Sequence, residues 1–507
     1  MARAVPYRHT LALGAVADED ARSSAADVAA ALFDEGTFVV WAPAVAVPAD
    51  AAYAAQLARA AARSGVAESI VAGAGLIHGR PVALVAGEFG FLAGSVGMAA
   101  ADHFIAAMRR ATVEGLPVLA APTSGGTRMQ EGTPAFLRMV PVAQAVALHR
   151  RAGLPYAVWL RDPTTGGVMA TWGSLGQVTA AEPGALAGFL GPRVFQAMTG
   201  EQFPAGVQQA EHLTDVGVID AVVALADLRQ WLGGFLAAAV PRVDPAAVTP
   251  SPAAAMVAAA EEVPLPDAWD CVLATRRPQR PGVRELLTAA ATDVTWLAGT
   301  GSGERDDAII LATARIGGVG VVVVGQDRSV GRAFGPGGLR TARRGYALAA
   351  ELGLPLLTVV DTEGAEVSAA AEEGAMAGEI ARSLAELSVL DTPIVGVLLG
   401  SGCGGGALAM APSDVLLAAS DSWITPLPPE GASAIVHRTS DRAPEMARAQ
   451  RITAVELHRL GVIDELLGAP GEDPGTFLAH TGRAVAAAVA RARPGERRVA
   501  RFTVAGP

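Results

Sequence analysis

Short apolar runs alternate with longer stretches of helical character along most of the chain. In the first half the runs are residues 82–85, 118–122 and 156–160, and in the second half they are residues 321–324, 356–361 and 394–399. Each run is long enough for a buried strand, and strands that alternate with helices predict β-α crossovers and largely parallel pairing. The pattern therefore predicts an α/β fold.

The same pattern occurs twice. Gly79 and Gly318, each just before a strand, lie 239 residues apart, and Gly115 and Gly353 lie 238 apart. Near the end of each copy, residues 213–220 (LTDVGVID) match residues 457–464 (LHRLGVID). Matches at nearly constant spacing indicate a duplication. We expect one α/β domain over residues 1–240, a linker rich in proline and alanine over 241–265, and a second domain over 266–507.

Composition limits the class of protein. A chain of 507 residues with 51% hydrophobic and 18% charged residues is expected to form two packed globular domains. A net charge of −11 argues against a broad nucleic-acid surface. No apolar run reaches the length of a membrane span, and the short apolar run near the N-terminus meets acidic residues at once, so we expect a cytoplasmic protein without a secretory signal.

Missing residue types exclude several chemistries. The sequence contains neither lysine nor asparagine. The chain therefore cannot form a lysine Schiff base, complete a phosphate-binding GK[ST] loop or carry biotin on its own lysine. The two cysteines, Cys271 and Cys403, cannot build a cysteine-only zinc ribbon, and the histidines show no metal-ligand spacing, so no metal is expected.

Paired glycines follow the same strand in both copies. Gly166 and Gly167 follow one strand, and Gly404, Gly405 and Gly406 follow its counterpart. Without Cβ atoms the backbone can approach a ligand closely, and the N–H groups that open a helix can stabilise an oxyanion. Isolated glycine pairs are usually turns, but recurrence at the same junction favours a functional interpretation. An earlier loop in each copy also carries glycine, namely Gly125 and Gly126 in the first and Gly364 in the second.

Other residues allow more than one interpretation. Gly400-x-Gly402-x-x-Gly405 with Asp421 is a weak match to a dinucleotide-binding fingerprint. Cys403 is either a nucleophile or a small buried residue in a tight turn. Glu372-Glu373 is either surface charge or an acid–base pair. A group of three arginines either binds an anion or forms a solvated helix face: Arg340, Arg343 and Arg344.

Longer motifs resemble one family. Residues 124–132 (SGGTRMQEG), 162–168 (DPTTGGV), 181–185 (AEPGA) and 191–194 (GPRV) resemble the β subunit of acetyl-CoA carboxylase carboxyltransferase, over about residues 30 to 225. Residues 276–281 (RRPQRP), 404–409 (GGGALA), 429–433 (PEGAS) and 452–454 (ITA) are similar to its α subunit, over about residues 266 to 467. The chain looks like a natural fusion of the two.

The resemblance implies two tandem crotonase-like domains (ClpP/crotonase type) with parallel β sheets and crossover helices. It implies that acyl-CoA binds the first half and carboxybiotin the second, at an interface between two protomers. By motif, Gly166 and Gly167 would hold the thioester enolate, and Gly405 and Gly406 the biotin ureido oxygen. The CoA site would include Gly125, Gly126, Thr127 and Arg128, and the biotin site Gly364, Ala365 and Gly404.

The implied enzyme moves CO2 from carboxybiotin to acetyl-CoA or a short acyl-CoA, which gives malonyl-CoA for fatty acid biosynthesis in the acetyl case. Biotin would arrive on a biotin carboxyl carrier protein loaded by a biotin carboxylase, and the chain is expected to be a homodimer or a higher homo-oligomer. Two alternatives stay open, a biotin-independent decarboxylase of malonyl-type thioesters and a non-catalytic scaffold that binds acyl-CoA. The second-half loops depart from the family: residues 363–368 read EGAEVS in place of PGAYPG, and Ser401, Cys403 and Gly404 replace Glu, Gly and Ser.

Overall fold

The computed structural model of the protein describes residues 22–42, 50–189, 201–240, 264–471, 473–495 and 497–502. Two sheets form the framework. Strands of the first half are β1 (Val39–Trp41), β2 (Ile70–Ile77), β3 (Arg80–Gly87), β4 (Val118–Ala121), β5 (Tyr156–Leu160), β6 (Thr164–Thr165), β7 (Val178–Ala181), β8 (Ala187–Gly188) and β9 (Ala221–Val222). Strands of the second half are β10 (Ala291–Leu297), β11 (Ile309–Ile316), β12 (Val319–Gln326), β13 (Leu356–Thr362), β14 (Ile394–Cys403), β15 (Val415–Ala418), β16 (Trp423–Thr425) and β17 (Glu465–Leu466).

The two sheets have the same topology. The first has the order β1-β2-β3-β4-β5-β7-β9 and the second the order β10-β11-β12-β13-β14-β15-β17. In each sheet the first three strands pair antiparallel, and every later neighbour in that order pairs parallel. The α/β class and the duplication predicted from the sequence are confirmed.

Helices connect the strands on both faces. In the first half they are α1 (Ala25–Leu32), α2 (Ala51–Ser64), α3 (Met98–Val113), α4 (Gly132–Leu137), α5 (Met139–Arg151), α6 (Gly166–Met169), α7 (Ala210–Asp215) and α8 (Leu225–Ala239). In the second half they are α9 (Ala268–Thr275), α10 (Val283–Ala290), α11 (Pro336–Leu352), α12 (Ala369–Glu373), α13 (Met376–Ser388), α14 (Gly404–Leu408), α15 (Pro429–His437), α16 (Ala443–Ala449), α17 (Ala454–Arg459), α18 (Pro474–Arg491) and α19 (Arg497–Ala500). Local signals set several of the ends: the Asp267 side chain accepts two N–H groups at the start of α9, and Gly353 ends α11 in a left-handed conformation.

One hydrophobic core runs through both halves. It joins Trp159 of the first sheet to Leu311 of the second through buried side chains of α8, among them Leu232 and Phe235. Helix α8 belongs to the first half by sequence, yet it packs against β10, β11 and β12 of the second sheet. The two halves therefore share one core.

A buried ion pair also joins the halves. Asp220, the last residue of the first-half repeat motif 213–220, accepts two hydrogen bonds from Arg344 of α11, at 2.8 and 2.9 Å. Arg340 and Arg343 bind the carboxylates of Glu304, Glu379 and Glu386. The three guanidinium groups are engaged in ion pairs within the fold, which argues against the anion-binding interpretation. Arg340 and Arg343 keep 32% and 26% of their side chains exposed, so the interpretation as a solvated helix face holds for part of the group.

The predicted domain boundaries at 240 and 266 stay a prediction, because residues 241–263 of the expected linker lie outside the described part of the chain. Residues 191–194, which carry one of the family motifs, also lie outside it. Among the helices of the described residues, none combines the length and the apolar character that a membrane crossing requires.

Buried His149 predicts loss of stability in acid. Burial lowers the pKa of His149 to about 4, from an ordinary value near 6.5. The native state keeps this ring neutral while the unfolded chain binds a proton below pH 6.5, so the free energy of unfolding should fall by up to about 3 kcal/mol between pH 6.5 and pH 4. Urea denaturation across this range measures the loss. His149→Gln should reduce the slope of this loss against pH, and a slope equal to that of the wild-type chain would contradict the assignment.

Candidate functional site

The first-half site forms where β4 and β5 end at the same edge of the sheet. The loop after β4 carries Ser124 and Gly126, and the loop after β5 carries Thr165 and Gly166. The two loops are joined by the Thr165 N–H, which donates to the Ser124 carbonyl oxygen at 3.0 Å. The Ser124 hydroxyl accepts the Gly126 N–H at 3.0 Å. Parallel strands bring their carboxyl ends together, so this edge is where an open α/β sheet can bind a ligand.

Gly166 has a structural role that its position in the sequence did not reveal. Its φ of +65° is in the left-handed region, and a Cβ there would lie 3.2 Å from the Cα of Gly126. Its N–H donates to the carbonyl oxygen of Phe189 at 2.9 Å, because β8 pairs with β6 and brings Phe189 alongside. The Gly166 amide is therefore not free to bind an oxyanion, although the sequence predicted it as a donor.

Two neighbouring amides are free at this edge. Within the described residues, the N–H groups of Thr127 and Gly167 donate to no protein acceptor. Thr127 forms a parallel bridge with Val96, in which the Val96 N–H donates to the Gly126 carbonyl oxygen and the Arg128 N–H donates to the Val96 carbonyl oxygen. The Thr127 N–H belongs to the same peptide group as the Gly126 carbonyl and therefore points the other way. A Cβ placed on Gly167 would lie 3.1 Å from the Thr127 Oγ1, which shows how closely the two residues approach. A residue with a free loop amide and a residue with a free helix-opening amide therefore lie side by side here.

The second half repeats this arrangement at a spacing of 238 residues. The Thr362 hydroxyl accepts the Gly364 N–H at 3.1 Å, as Ser124 does for Gly126. Phe334 forms a parallel bridge with Ala365, as Val96 does with Thr127. Gly404 opens α14 with φ +69°, as Gly166 opens α6. By this register Gly167 corresponds to Gly405, and Gly406 corresponds to Val168.

Packing separates the roles of the second-half glycines. A Cβ on Gly406 would lie 2.5 Å from the Phe334 ring and 3.3 Å from the Ala365 nitrogen, whereas a Cβ on Gly405 would meet only the Ile380 side chain, at 3.1 Å. The N–H groups of Ala365, Gly405 and Gly406 have no protein acceptor among the residues described. A ligand oxygen can therefore approach Ala365 and the start of α14 together.

Arg128, predicted for the CoA site, lies inside the protein. Its side chain is 0% exposed and donates to Glu68 at 3.0 Å and to the carbonyl oxygen of Ser95 at 2.7 Å. Glu131 at the end of the same loop accepts the N–H that opens α3 at Met98. Arg128 thus fixes the loop that carries Gly126 and Thr127, and its guanidinium does not reach the open edge.

An ion-pair cluster lies at the loop that follows β13 in the second half. Arg276 donates to Glu430 at 2.6 Å and lies 3.2 Å from Glu363, the first residue of the altered loop. Cys403 is buried, and its burial raises its pKa to about 12 with a further contribution from the charge of Glu363. A thiol with this pKa is not a nucleophile at neutral pH, so Cys403 is the small buried residue of the two interpretations.

Two other interpretations are settled by position. Gly400 and Gly402 lie inside β14, where Gly402 pairs with Thr362, and Asp421 is bound by Arg280. The dinucleotide-binding interpretation was therefore wrong, since these glycines form a strand and not a phosphate-binding turn. Glu372 and Glu373 lie exposed on α12, as expected of surface charge.

The departures from the family motif at Ser401 and Cys403 are internal. The Ser401 hydroxyl donates to the Thr275 Oγ1 at 3.1 Å, and Cys403 packs in a small cluster with Trp423. Both residues are 2% exposed. These substitutions alter the support behind the glycine helix and leave its donor face unchanged. Across the described ranges, no group of three or more histidine, cysteine or acidic side chains is arranged to hold a metal ion.

Comparisons with known proteins cover both halves of the chain. The model of the carboxyl transferase domain family matches residues 21–468. The probable biotin-dependent acyl-coenzyme A carboxylase beta3 subunit of Mycobacterium tuberculosis H37Rv is 52% identical over 468 residues, which are 90% of this chain and 92% of the relative. The acetyl-coenzyme A carboxylase carboxyl transferase subunits beta/alpha of Salinispora tropica are 36% identical over 442 residues, covering 82% of this chain and 76% of the relative.

A solved structure has the same fold. The crystal structure of transcarboxylase 12S, described as a hexamer with methylmalonyl-coenzyme A and methylmalonic acid bound, superimposes with a TM-score of 0.75 at 20% identity, and covers 94% of this chain and 91% of the other. A single-chain, multi-domain long-chain acyl-CoA carboxylase matches 91% of this chain with a TM-score of 0.70. The predicted crotonase-like fold is confirmed.

Proposed function

The chain belongs to the carboxyl transferase domain family and is an acyl-CoA carboxyltransferase of the biotin-dependent carboxylase type, and we propose that it transfers CO2 from carboxybiotin on a separate carrier protein to acetyl-CoA or another short acyl-CoA. The observation that carries the proposal is the duplicated pair of unpartnered amides on adjacent loops. One such pair of amides serves a single oxyanion. Carboxyl transfer between two carbonyl compounds requires two such pairs.

In the first half we assign the thioester oxygen to the N–H groups of Thr127 and Gly167. Donors aimed at a developing enolate oxygen contribute about 2.7–4 kcal/mol each to lowering the barrier. Gly166 and Gly126 approach each other closely and carry no side chains, which leaves room for the thioester. Gly125 lies in the same loop as Gly126. Arg128 supports that loop from inside the fold.

In the second half we assign the ureido oxygen of biotin to Ala365 and Gly405, with Gly404 and Gly364 shaping the loops. The glycines beside these two unpartnered N–H groups leave room for a small carbonyl group, and the N–H groups can donate to its oxygen without help from a side chain. When bound, carboxybiotin supplies the CO2 and, after its loss, a ring nitrogen that can accept the proton from the acyl-CoA. We assign Gly406 to packing against Phe334 rather than to donation, because a Cβ there would lie 2.5 Å from the Phe334 ring and the repeat register aligns Gly406 with Val168.

We further propose that two copies of the chain face each other across these loops. Phe136, Leu137 and Val140 are 59%, 59% and 71% exposed beside the first-half loop, and Ile435 and Val436 are each 60% exposed on α15 of the second half. Apolar groups exposed together mark an interaction surface. If each surface covers the other on a partner copy, the first-half site of one copy meets the second-half site of the other. A biotin carboxylase and a biotin carboxyl carrier protein complete the proposed assembly.

Val140→Glu should break this contact. A charge buried in an apolar interface is unfavourable, so we expect a lower molar mass in size-exclusion chromatography with light scattering and at least a tenfold loss of transfer activity. Val113→Glu, at a side chain 88% exposed at the end of α3, is the matched control and should change neither. Unchanged mass and activity for Val140→Glu would remove this surface as the interface.

The function is tested with the full chain and free biotin. The chain should convert malonyl-CoA plus biotin to acetyl-CoA plus carboxybiotin in a biotin-dependent manner. With biotin carboxylase, biotinylated carrier, ATP and bicarbonate it should form malonyl-CoA from acetyl-CoA. CO2 release from malonyl-CoA without biotin would replace the proposal by a decarboxylase. Binding of acyl-CoA with neither reaction would replace it by a scaffold subunit. Propionyl-CoA and longer acyl-CoA substrates compared side by side define the acyl preference.

A further inference from the structure

We propose that Gln326 is a positioning residue that sets the spacing between the amide donors of Ala365 and Gly405. This inference rests on the proposed function of that pair. Gln326 is the last residue of β12 and is 1% exposed. Nothing in its sequence context distinguishes it from an ordinary strand-end residue.

The side-chain amide of Gln326 bridges the two segments that carry the donors. Its Oε1 accepts the Asp361 N–H at 2.9 Å, and its Nε2 donates to the Gly406 carbonyl oxygen at 3.0 Å. One partner is a donor and the other an acceptor, so they fix the orientation of the amide. Asp361 lies four residues before Ala365, and Gly406 directly follows Gly405.

This bridge matters because the second-half helix opens with three consecutive glycines. Glycine loses more conformational freedom on folding than any other residue, so residues 404–406 need external contacts to stay in one arrangement. Phe334 and Ile380 pack against them from two sides, and Gln326 supplies the hydrogen bond. A donor pair stabilises an oxyanion only when both donors are held in place before the reaction. Through its planar amide, Gln326 links the segment that carries Ala365 to the segment that carries Gly405.

The first half holds its glycine helix in another way. Glu88 occupies the position equivalent to Gln326, and its carboxylate accepts the N–H groups of Ala25 and Gly90. The helix there is tied instead by the bond from Gly166 to Phe189. A change at Gln326 should therefore affect only the second-half reaction, and a change at Glu88 offers a control with the same position in the repeat.

Gln326→Glu tests the bridge without changing side-chain volume. The variant keeps an acceptor for the Asp361 N–H but, when ionised, loses the donor to Gly406. The buried carboxyl of Asp361 is itself paired with Arg328 and lies near Arg280. At pH 8 we expect kcat for transfer from malonyl-CoA to biotin to fall by roughly 10- to 100-fold. The KM for malonyl-CoA and the Kd for acetyl-CoA from calorimetry should stay within twofold of wild type.

The pH profile separates positioning from general damage. Protonation of the carboxylate introduced by Gln326→Glu restores a donor for Gly406, so the ratio of variant to wild-type kcat should rise as the pH is lowered from 8 to 6. Gln326→Met, which is neutral and of similar volume, should show the loss without the recovery, and Glu88→Gln should keep the wild-type kcat for transfer.

A kcat within twofold of wild type in both Gln326 variants would overturn the inference, as would a loss of acetyl-CoA affinity equal to the loss of kcat. If Gln326→Glu does not fold, Gln326→Met decides by the same criteria. Absence of biotin-dependent transfer in the wild-type chain would overturn the proposed function itself, and this inference with it.

Discussion

Replacing Gly167 by valine should lower carboxyl transfer by about two to three orders of magnitude while the protein stays folded. A Cβ at this position would already lie 3.1 Å from the Thr127 Oγ1 and 3.4 Å from the Met139 Cγ, and the two valine methyl groups would fill the space between the donors. Loss of one oxyanion donor in other enzymes costs about 10²- to 10³-fold in kcat. The backbone of Gly167 is not in the left-handed region, so valine adds bulk without backbone strain.

The measurement is steady-state transfer between malonyl-CoA and biotin, together with the melting temperature. Gly475→Val, in the first turn of α18 and away from both sites, serves as the control and should retain wild-type activity. The equivalent change at Gly405 should impair transfer while acyl-CoA affinity is retained. Normal turnover in Gly167→Val would show that Thr127 and Gly167 do not bind the thioester oxygen.

Replacing Arg344 by leucine should destabilise the protein by about 3–5 kcal/mol, the cost of leaving a buried charge without its partner. Asp220 is 1% exposed in its side chain and also accepts the N–H groups of Thr179, at 2.8 Å, and Ala298, at 3.0 Å. One carboxylate thus connects a strand of the first sheet, the residue after β10 of the second sheet and helix α11. Removing the positive partner of Asp220 should therefore destabilise both halves together.

Thermal and urea denaturation measure this effect. Arg382→Leu is the matched control, because Arg382 is 48% exposed and its partner Glu379 keeps Arg340 and Arg343; we expect a change of at most about 1 kcal/mol. Adding Asp220→Asn to Arg344→Leu should recover part of the loss, since it removes the unpaired charge. A decrease no larger than that of Arg382→Leu would contradict the role of this ion pair.

The sequence was sufficient for features that depend on local pattern. Strand β4 begins at Val118 and β5 covers Tyr156–Leu160, as the apolar runs predicted, and both glycine helices begin where the repeat placed them. The end of β14 was missed: the predicted strand stopped at 399, whereas the structure continues it to Cys403 because β16 pairs with its last residues. That pairing comes from residues about 20 positions further along the chain and has no local signal.

The details of the donor pairs were beyond sequence reasoning for the same reason. Both Gly166 and Gly167 were predicted as donors, and only the pairing of β6 with β8 shows that Phe189 already accepts the first of them. The repeat itself contained a usable signal for the second half: a spacing of 238 residues aligns Gly167 with Gly405, whereas the family motif alone had suggested Gly405 and Gly406 together. Gln326 acts across 35 and 80 residues, and no spacing rule would select it.

Helix α8 has a consequence for how such a chain can be assembled. Because Leu232 and Phe235 are buried in a core shared with the second sheet, we expect the two halves to stay associated when the covalent connection between residues 240 and 264 is cut. A protease that nicks this connection should leave a complex that migrates as one particle and still turns over. Two separate genes, split at the same point, should yield polypeptides that find each other without a tether. Fusion and separation of the two halves are then near-neutral steps in evolution, open in either direction.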